Sequence, residues 1–219
     1  MLSTHFILAL IAGVVLFVVV LTLVLVYGGK KKTFNVPPPP PVSTSGQQRS
    51  APPSDPVVLT GSFLAGLTLI NAQRAKHGVN PLKYNSVLQQ VAGAYAKVLF
   101  EKIDGVLSGT SEPHSNGALS GNYGENVSCG VGIVDDVFLT SLNHFYDEVA
   151  SYDFSKPGFT PQTGHFTATV WASTTDVGFG MVMDPATGKW ACVVNFSPTG
   201  NLLAPPPDTG ALFRTNVLP

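Results

Sequence analysis

The distribution of apolar and polar positions changes character twice along the 219-residue chain. Residues 6–27 are apolar and carry no charged side chain, whereas residues 33–56 contain almost no large apolar side chain. From Val57 onward, apolar residues recur first at helical and then at strand spacing, which is typical of a folded domain. The pattern predicts four segments: an N-terminal anchor over 1–29, a proline-rich linker over 30–57, a domain over 58–204 and a C-terminal tail over 205–219.

The apolar stretch Phe6–Tyr27 is long enough to cross a bilayer, because a helix of this length spans roughly 30 Å. A secretory signal is the alternative, but its apolar region is usually about 7–15 residues long and follows basic residues. No Lys or Arg precedes this stretch, so we predict a single-pass membrane protein. Lys30–Lys32 favour a cytosolic domain, since positive residues beside a span tend to stay in the cytoplasm; an extracellular or lumenal domain is the alternative.

Apolar residues at helical spacing predict three helices in the domain. The first covers Thr60–His77, the second follows Asn85 and ends before Gly105, and the third covers Asp135–Tyr152. His77 is interpreted as a helix end and His144 as an exposed helix position.

Two later apolar stretches, Val177–Met183 and Trp190–Phe196, predict a β-hairpin, because the turn residues Asp184–Gly188 separate them. A shorter stretch, Glu125–Cys129, follows a loop rich in Ser, Gly and Asn. Helices followed by a hairpin favour an α+β sandwich over a doubly wound sheet.

The charge and the prolines narrow the range of partners. A formal net charge of −1, with 11% charged residues, gives none of the basic surface that nucleic acids require, so nucleic-acid binding is excluded. The five prolines at 37–41 favour an extended, semi-rigid spacer, with docking to a proline-recognising module as the alternative.

The significance of the cysteines and of the glycosylation sequons depends on the cellular compartment of the domain. Cys129 and Cys192 are too few for a disulfide scaffold, although one bridge between them is left open. Asn126 and Asn195 each begin a glycosylation sequon, which would matter only in an extracytoplasmic domain.

Four polar residues have the side-chain types of a metal or acid–base site: His114, Glu125, Glu148 and His165. Two imidazoles and two carboxylates suit a divalent cation or general acid–base chemistry. Their spacing matches neither His-Glu-x-x-His nor another diagnostic motif. On spacing alone, the alternative to a shared site is that the four side chains lie apart, each satisfied by local hydrogen bonds.

Five sequence boxes follow one another in the domain: Ile70–Leu82, Tyr123–Val127, Phe145–Glu148, Gly164–Trp171 and Asn195–Asn201. The fourth reads Gly-His-Phe-Thr-Ala-Thr-Val-Trp. Together they resemble the CAP superfamily of cysteine-rich secretory proteins, antigen five and pathogenesis-related class-one proteins. Lys156–Thr160, the few cysteines and the C-terminal Asn216–Pro219 are most similar to the Golgi-associated, pathogenesis-related-like branch. Phe145 and Phe196 stand where that family usually has Trp and Tyr.

The resemblance implies a three-layer α-β-α sandwich whose central cleft gathers His114, Glu125, Glu148 and His165. It also implies that His114 and His165 can hold a divalent cation, typically zinc, beside the two glutamates. Relatives associate with sterols, fatty acids or anionic lipids, so the leading prediction is a non-enzymatic module that associates with membrane lipids. A zinc-dependent hydrolase or peptidase is one alternative. A protein-interaction module, with self-association into a homo-oligomer, is another.

Overall fold

The computed structural model describes residues 62–115, 123–132 and 136–219. The elements in chain order are α1 (Ser62–Lys76), β1 (Lys83–Tyr84), α2 (Ser86–Glu101), α3 (Ile103–Leu107), β2 (Gly124–Val131), α4 (Val137–Asp147), a 3-10 turn (Glu148–Ser151), α5 (Gly164–Val170), β3 (Asp176–Asp184), β4 (Lys189–Ser197) and α6 (Ala211–Asn216).

The predicted localisation, a single-pass membrane protein with a cytosolic domain, is wrong for the part of the chain that the structure describes. No helix in that part is long and apolar enough to cross a membrane. The longest, α2, has 16 residues, whereas a span needs about 20. The predicted anchor Phe6–Tyr27 and the proline run at 37–41 lie outside the described residues.

The central element is a four-stranded sheet with the order β1-β3-β4-β2. β3 and β4 form an antiparallel pair from Asp176 opposite Ser197 to Asp184 opposite Lys189, which confirms the predicted hairpin. β2 pairs antiparallel with β4, and the two-residue β1 pairs parallel with β3. β2 is therefore an edge strand.

Alternate residues of β4 pack against helices on opposite sides of the sheet, because successive strand side chains point to opposite faces. Ala191 and Val193 pack with residues of α2. Cys192, Val194 and Phe196 pack with residues of α1 and α4. The α+β sandwich predicted from the sequence is thus confirmed as helices on both faces of one sheet.

The helix α2 lies directly on the backbone of β3 at two glycines. A Cβ atom at Gly178 would come within 2.2 Å of the Gln89 backbone nitrogen, and one at Gly180 within 2.1 Å of the Ala92 carbonyl oxygen. These contacts are with main-chain atoms, so the helix and strand approach closely only because neither glycine has a side chain.

Two helices, α2 and α4, begin at a residue whose side chain caps the first turn. The Asn85 side chain accepts hydrogen bonds from the backbone of Val87 and Leu88 and begins α2. The third predicted helix differs from the prediction at its end, because α4 stops at Asp147 and the chain continues as a 3-10 turn rather than as an α-helix. Tightening of the last turn into 3-10 geometry is common at helix C-termini.

The C-terminal residues, which the sequence analysis assigned to a tail, contain a helix that packs on the domain. Phe213 of α6 is buried and meets the Trp171 ring edge-on, with 5.0 Å between centroids. The backbone nitrogen of Ala172 donates to the Asn216 carbonyl at 2.9 Å. α6 therefore completes a third apolar cluster, beside α5.

The bridge left open between Cys129 and Cys192 is not formed, and both cysteines are free. Their side chains lie on opposite faces of the sheet, Cys129 with the α2 cluster and Cys192 with the α1–α4 cluster. Burial raises the pKa of the Cys192 thiol to about 12, so it stays protonated at neutral pH.

Neither sequon presents an accessible asparagine. The side chains of Asn126 and Asn195 are both buried within the sheet region. Asn126 also uses its side-chain nitrogen for hydrogen bonds inside the fold. The folded domain therefore offers no acceptor at either position.

Candidate functional site

Glu148 and His165 form the first of two histidine–glutamate pairs. Glu148 lies where α4 passes into the 3-10 turn, and its Oε1 is 2.7 Å from His165 Nδ1. Its Oε2 accepts hydrogen bonds from the backbone nitrogens of His165 at 2.9 Å and Phe166 at 3.1 Å. These nitrogens belong to the first turn of α5, whose N–H groups have no partner within the helix. The carboxylate is thus held at both oxygens.

His114 and Glu125 form the second pair. Glu125, near the start of β2, has its Oε1 3.1 Å from His114 Nδ1, and the same oxygen accepts from the Ser115 backbone nitrogen at 2.9 Å. Burial raises the pKa of the Glu125 carboxyl, but hydrogen bonds from His114 and Ser115 outweigh burial, so this pKa lies below its usual value. The ionised carboxylate therefore stabilises the fold at neutral pH, and that stabilisation is lost as the pH falls through the folded-state pKa.

One asparagine connects the two pairs. Asn126, which follows Glu125 in β2, donates from Nδ2 to the His165 carbonyl oxygen at 3.0 Å and to Thr169 Oγ1 at 3.2 Å. The four residues predicted from the sequence thus form two histidine–glutamate pairs, and Asn126 links the strand that carries Glu125 to the backbone of His165. Asn126 was not among the predicted site residues, although it stands in the Gly-Glu-Asn box that pointed to Glu125.

The ring of Phe145 lies against the ring of His165, with 4.7 Å between centroids and 35° between planes. Phe145 is buried, so it restricts the rotation of that imidazole. Phe145 stands at the position where the resemblance led us to expect a Trp.

The donor atoms of the site suit a divalent cation. Opposite an ionised carboxylate, which can only accept, a neutral imidazole donates from Nδ1 and keeps its Nε2 lone pair. Neither Nε2 has a hydrogen-bond partner among the described residues. A histidine that binds a metal usually donates its other ring nitrogen to a carboxylate in this way.

The number of protein ligands is smaller than in a closed zinc site. Within residues 62–115, 123–132 and 136–219, no group of three or more His, Cys, Asp or Glu residues has an arrangement that could hold a metal ion. The intervening residues 116–122 contain none of these four types. The described residues therefore offer two imidazoles as candidate ligands, fewer than the four of a structural zinc site.

Arg74 supports the helix that carries His165, although the sequence did not single this residue out. Its guanidinium is fully buried and donates to four backbone carbonyls, those of Asn80, Thr169, Trp171 and Thr174. Burial lowers its pKa to about 10, so it remains charged at neutral pH. Arg74 therefore fixes the end of α5, the helix that carries His165. The only sequence signal for it is its place in the opening box.

His77 follows the last residue of α1, as predicted, but its side chain is also buried. Its Nδ1 lies 2.7 Å from the Leu218 carbonyl oxygen and its Nε2 lies 3.0 Å from the Tyr146 hydroxyl. The imidazole thereby joins the end of α1 to the C-terminal residues and to α4. His144 is exposed on α4, as predicted.

The relationship to known proteins agrees with this geometry. A family model described as "CAP: Cysteine-rich secretory protein family" matches residues 67–196, which is more than half of the chain. The chain belongs to the CAP family. The resemblance inferred from the five sequence boxes is therefore confirmed.

Individual CAP relatives match most of the described domain. Golgi-associated plant pathogenesis-related protein 1 of Homo sapiens is 34% identical over 149 residues, covering 68% of this chain and 87% of that protein. Repressed by EFG1 protein 1 of Candida albicans is 34% identical over 151 residues, covering 68% of this chain and 51% of the relative, so the chain spans about half its length. The crystal structure of NaASP2 with Zn2+ is 17% identical with a TM-score of 0.50, covers 64% of this chain and 80% of that chain, and shows a similar fold.

Proposed function

We propose that this CAP protein is a binding module that holds a divalent cation, such as zinc, through the Nε2 atoms of His114 and His165. The observation that carries the proposal is the pairing of each imidazole with a glutamate through Nδ1. A carboxylate at Nδ1 favours the tautomer whose Nε2 can bind a metal.

The glutamates are themselves held in place before any ion binds. Glu148 accepts from two backbone nitrogens and Glu125 accepts from one, so the rings are oriented by the fold rather than by the ion. Both imidazoles are open to solvent, with 40% of the His114 side chain and 26% of the His165 side chain exposed. An ion therefore has a path to both rings. The crystal structure of NaASP2, a protein of similar fold, is one with Zn2+.

Zinc titration of the full chain by isothermal calorimetry tests this proposal. His114→Ala and His165→Ala should each weaken zinc binding by at least about 10-fold, because each removes one of two protein ligands. Glu125→Gln and Glu148→Gln should each weaken zinc binding by about 10–100-fold, because each removes the carboxylate that orients one ring. His144→Ala, which changes an exposed histidine of α4, is the matched control and should leave the affinity unchanged. Wild-type affinity in both single histidine variants would overturn the proposal.

The geometry favours binding over hydrolysis. Catalytic zinc sites usually combine three protein ligands with one open position, whereas the described residues supply two imidazoles. Zinc-dependent peptide hydrolysis that is lost in both His114→Ala and Glu125→Ala would instead support the hydrolase alternative. A hydrolysis rate equal to the rate without protein would exclude the hydrolase alternative.

Lipid is the second ligand that we propose, because exposed apolar side chains lie beside the His165 end of the site. The ring of Phe159 is exposed and lies against Gly164, where a Cβ atom would be 3.1 Å from its Cε2. Asn201 donates to the Gly164 carbonyl at 2.8 Å, and it is followed by the exposed Leu202 and Leu203. An acyl chain or a sterol could cover these side chains and reduce their contact with water.

Labelling of the full chain with a photoactivatable fatty acid and a photoactivatable sterol tests lipid binding. We expect label on the peptides that contain Phe159 and Leu203, and less label in the Phe159→Ser/Leu203→Ser variant. Met183→Ser is the control, because Met183 is an equally exposed apolar residue near the hairpin turn. Label found only outside residues 62–219, or equal labelling of the double variant, would contradict lipid binding at this surface.

A further inference from the structure

The loop that carries His114 is held by two side chains from α2 and the residue after it. The Tyr95 hydroxyl donates to the Pro113 carbonyl at 2.7 Å. The Lys102 ammonium donates to the Glu112 carbonyl at 2.6 Å and to the Tyr95 hydroxyl at 2.8 Å. Two consecutive carbonyls, immediately before His114, are therefore fixed to the helix.

The loop has little other support from its own backbone. Pro113 has no N–H group, and the His114 backbone nitrogen reaches the Glu112 side chain only at a long 3.4 Å. Among the described residues, no backbone–backbone hydrogen bond outside helices and strands involves 112–115. The position of the loop therefore depends on the contacts with Tyr95 and Lys102 and on the Glu125 carboxylate.

The tyrosine is well suited to this role because it stays a hydrogen-bond donor. Burial raises the pKa of Tyr95 well above its usual value, and the charges of Glu125 and Glu112 raise it further. The Lys102 ammonium also lies 5.1 Å from the centre of the Tyr95 ring. A charged donor on the hydroxyl oxygen polarises its O–H bond and strengthens the bond to Pro113.

We propose that Tyr95 and Lys102 are positioning residues of the metal site, which hold residues 112–113 so that the His114 ring stays on Glu125. The metal part of this inference rests on the proposed function, whereas the holding of the loop does not. The two halves of the site are then built differently: Glu148 is held by the backbone of α5, and His114 is held by side chains of α2 and its C-terminal end.

Hydrogen–deuterium exchange of the metal-free full chain tests the holding of the loop. The Ser115 amide donates to Glu125, so its exchange reports whether the loop is in place. Tyr95→Phe, which removes only the hydroxyl, and Lys102→Met should each speed exchange at Ser115 by about 5- to 10-fold, the effect of losing a hydrogen bond that holds the loop. The Val193 amide, at the centre of β4, should not change.

Two variants serve as matched controls for this exchange measurement. Lys97→Met removes an exposed lysine from the same helix, and Tyr84→Phe removes a tyrosine hydroxyl from β1. Both should leave exchange at Ser115 as in the wild type. Unchanged exchange at Ser115 in Tyr95→Phe and Lys102→Met would overturn the proposal, whatever the chain does with zinc.

A double-mutant cycle on zinc affinity separates positioning from a general loss of stability. Tyr95→Phe should weaken zinc binding by about 10-fold in the wild type but have no further effect in the His114→Ala background. In the Glu148→Gln background, Tyr95→Phe should again weaken zinc binding by about 10-fold, because Glu148 belongs to the other pair. An equal effect of Tyr95→Phe with and without His114 would overturn the proposal. Faster Ser115 exchange in a chain that binds no zinc would support the positioning role and reject the proposed function alone.

Discussion

Arg74→Met is expected to lower the free energy of unfolding by about 3–5 kcal/mol, a large part of the stability of an ordinary domain. Methionine fills much of the same space, but it removes the guanidinium donor from four carbonyls. The Trp171 carbonyl still accepts from the Thr174 backbone nitrogen, whereas each buried carbonyl left unsatisfied costs about 1–3 kcal/mol. Those carbonyls lie in three segments: the loop after α1, the end of α5 and the turn before β3. Urea denaturation of the full chain, followed by circular dichroism, measures the change.

Two further arginine variants control this prediction. Arg214→Met removes an exposed arginine of α6 that pairs with Asp208 at the surface, and such pairs contribute at most about 1 kcal/mol. Arg74→Lys keeps the charge but cannot reach all four carbonyls, so its stability should lie between the wild type and Arg74→Met. Equal stability of Arg74→Met and Arg214→Met would contradict a supporting role for the buried guanidinium.

Gly180→Ala is expected to cost about 3 kcal/mol, because overpacking against a rigid neighbour typically costs about 1–3 kcal/mol and the contact here is severe. The added Cβ would lie 2.1 Å from the Ala92 carbonyl oxygen and 2.7 Å from the Gly93 nitrogen. Both are main-chain atoms in α2, so the helix must move away from β3 and open the core between them. Thermal unfolding should show a midpoint lower by roughly 6–12 °C.

Gly93→Ala is the matched control for Gly180→Ala, since it makes the same chemical change in α2, where a Cβ atom meets nothing within 4 Å. It should be neutral or stabilise the chain by up to about 1 kcal/mol, the difference in helix propensity between Gly and Ala. If both alanines had the same effect on the unfolding midpoint, close packing of α2 on β3 would not be a major source of stability.

The elements that the sequence predicted are those whose signals are local. The helices α1, α2 and α4 each have apolar positions at helical spacing, and two of them begin at a capping Asn85 or Asp136. The hairpin of β3 and β4 was predicted from two apolar runs around a turn. In each case the residues that specify the element are close together in the chain.

The elements that were not predicted depend on tertiary contacts. α5 has the sequence Gly-His-Phe-Thr-Ala-Thr-Val, and Phe166 to Val170 are all buried, so no amphipathic pattern marks it. Its helical form depends on Glu148, which binds its first N–H groups, and on Arg74, which binds its C-terminal carbonyls. β1 has two residues and is defined only by its pairing with β3.

The sequence named the four residues that form the two histidine–glutamate pairs, but it did not predict their arrangement. Residue types alone left His114, Glu125, Glu148 and His165 without a common location, and only the resemblance to CAP proteins predicted that they meet. Which glutamate pairs with which histidine follows from the folded chain. So do the roles of Asn126 and Tyr95, because both act through backbone carbonyls that are distant in sequence.

The proposed function requires that the imidazoles of His114 and His165 bind the same divalent cation. X-ray absorption at the zinc edge of the zinc-loaded full chain measures this, because it identifies the ligand atoms. We expect two imidazole ligands at about 2.0–2.1 Å, oxygen or nitrogen at the remaining positions and no sulfur. A spectrum with sulfur ligands, or with fewer than two imidazoles, would contradict it.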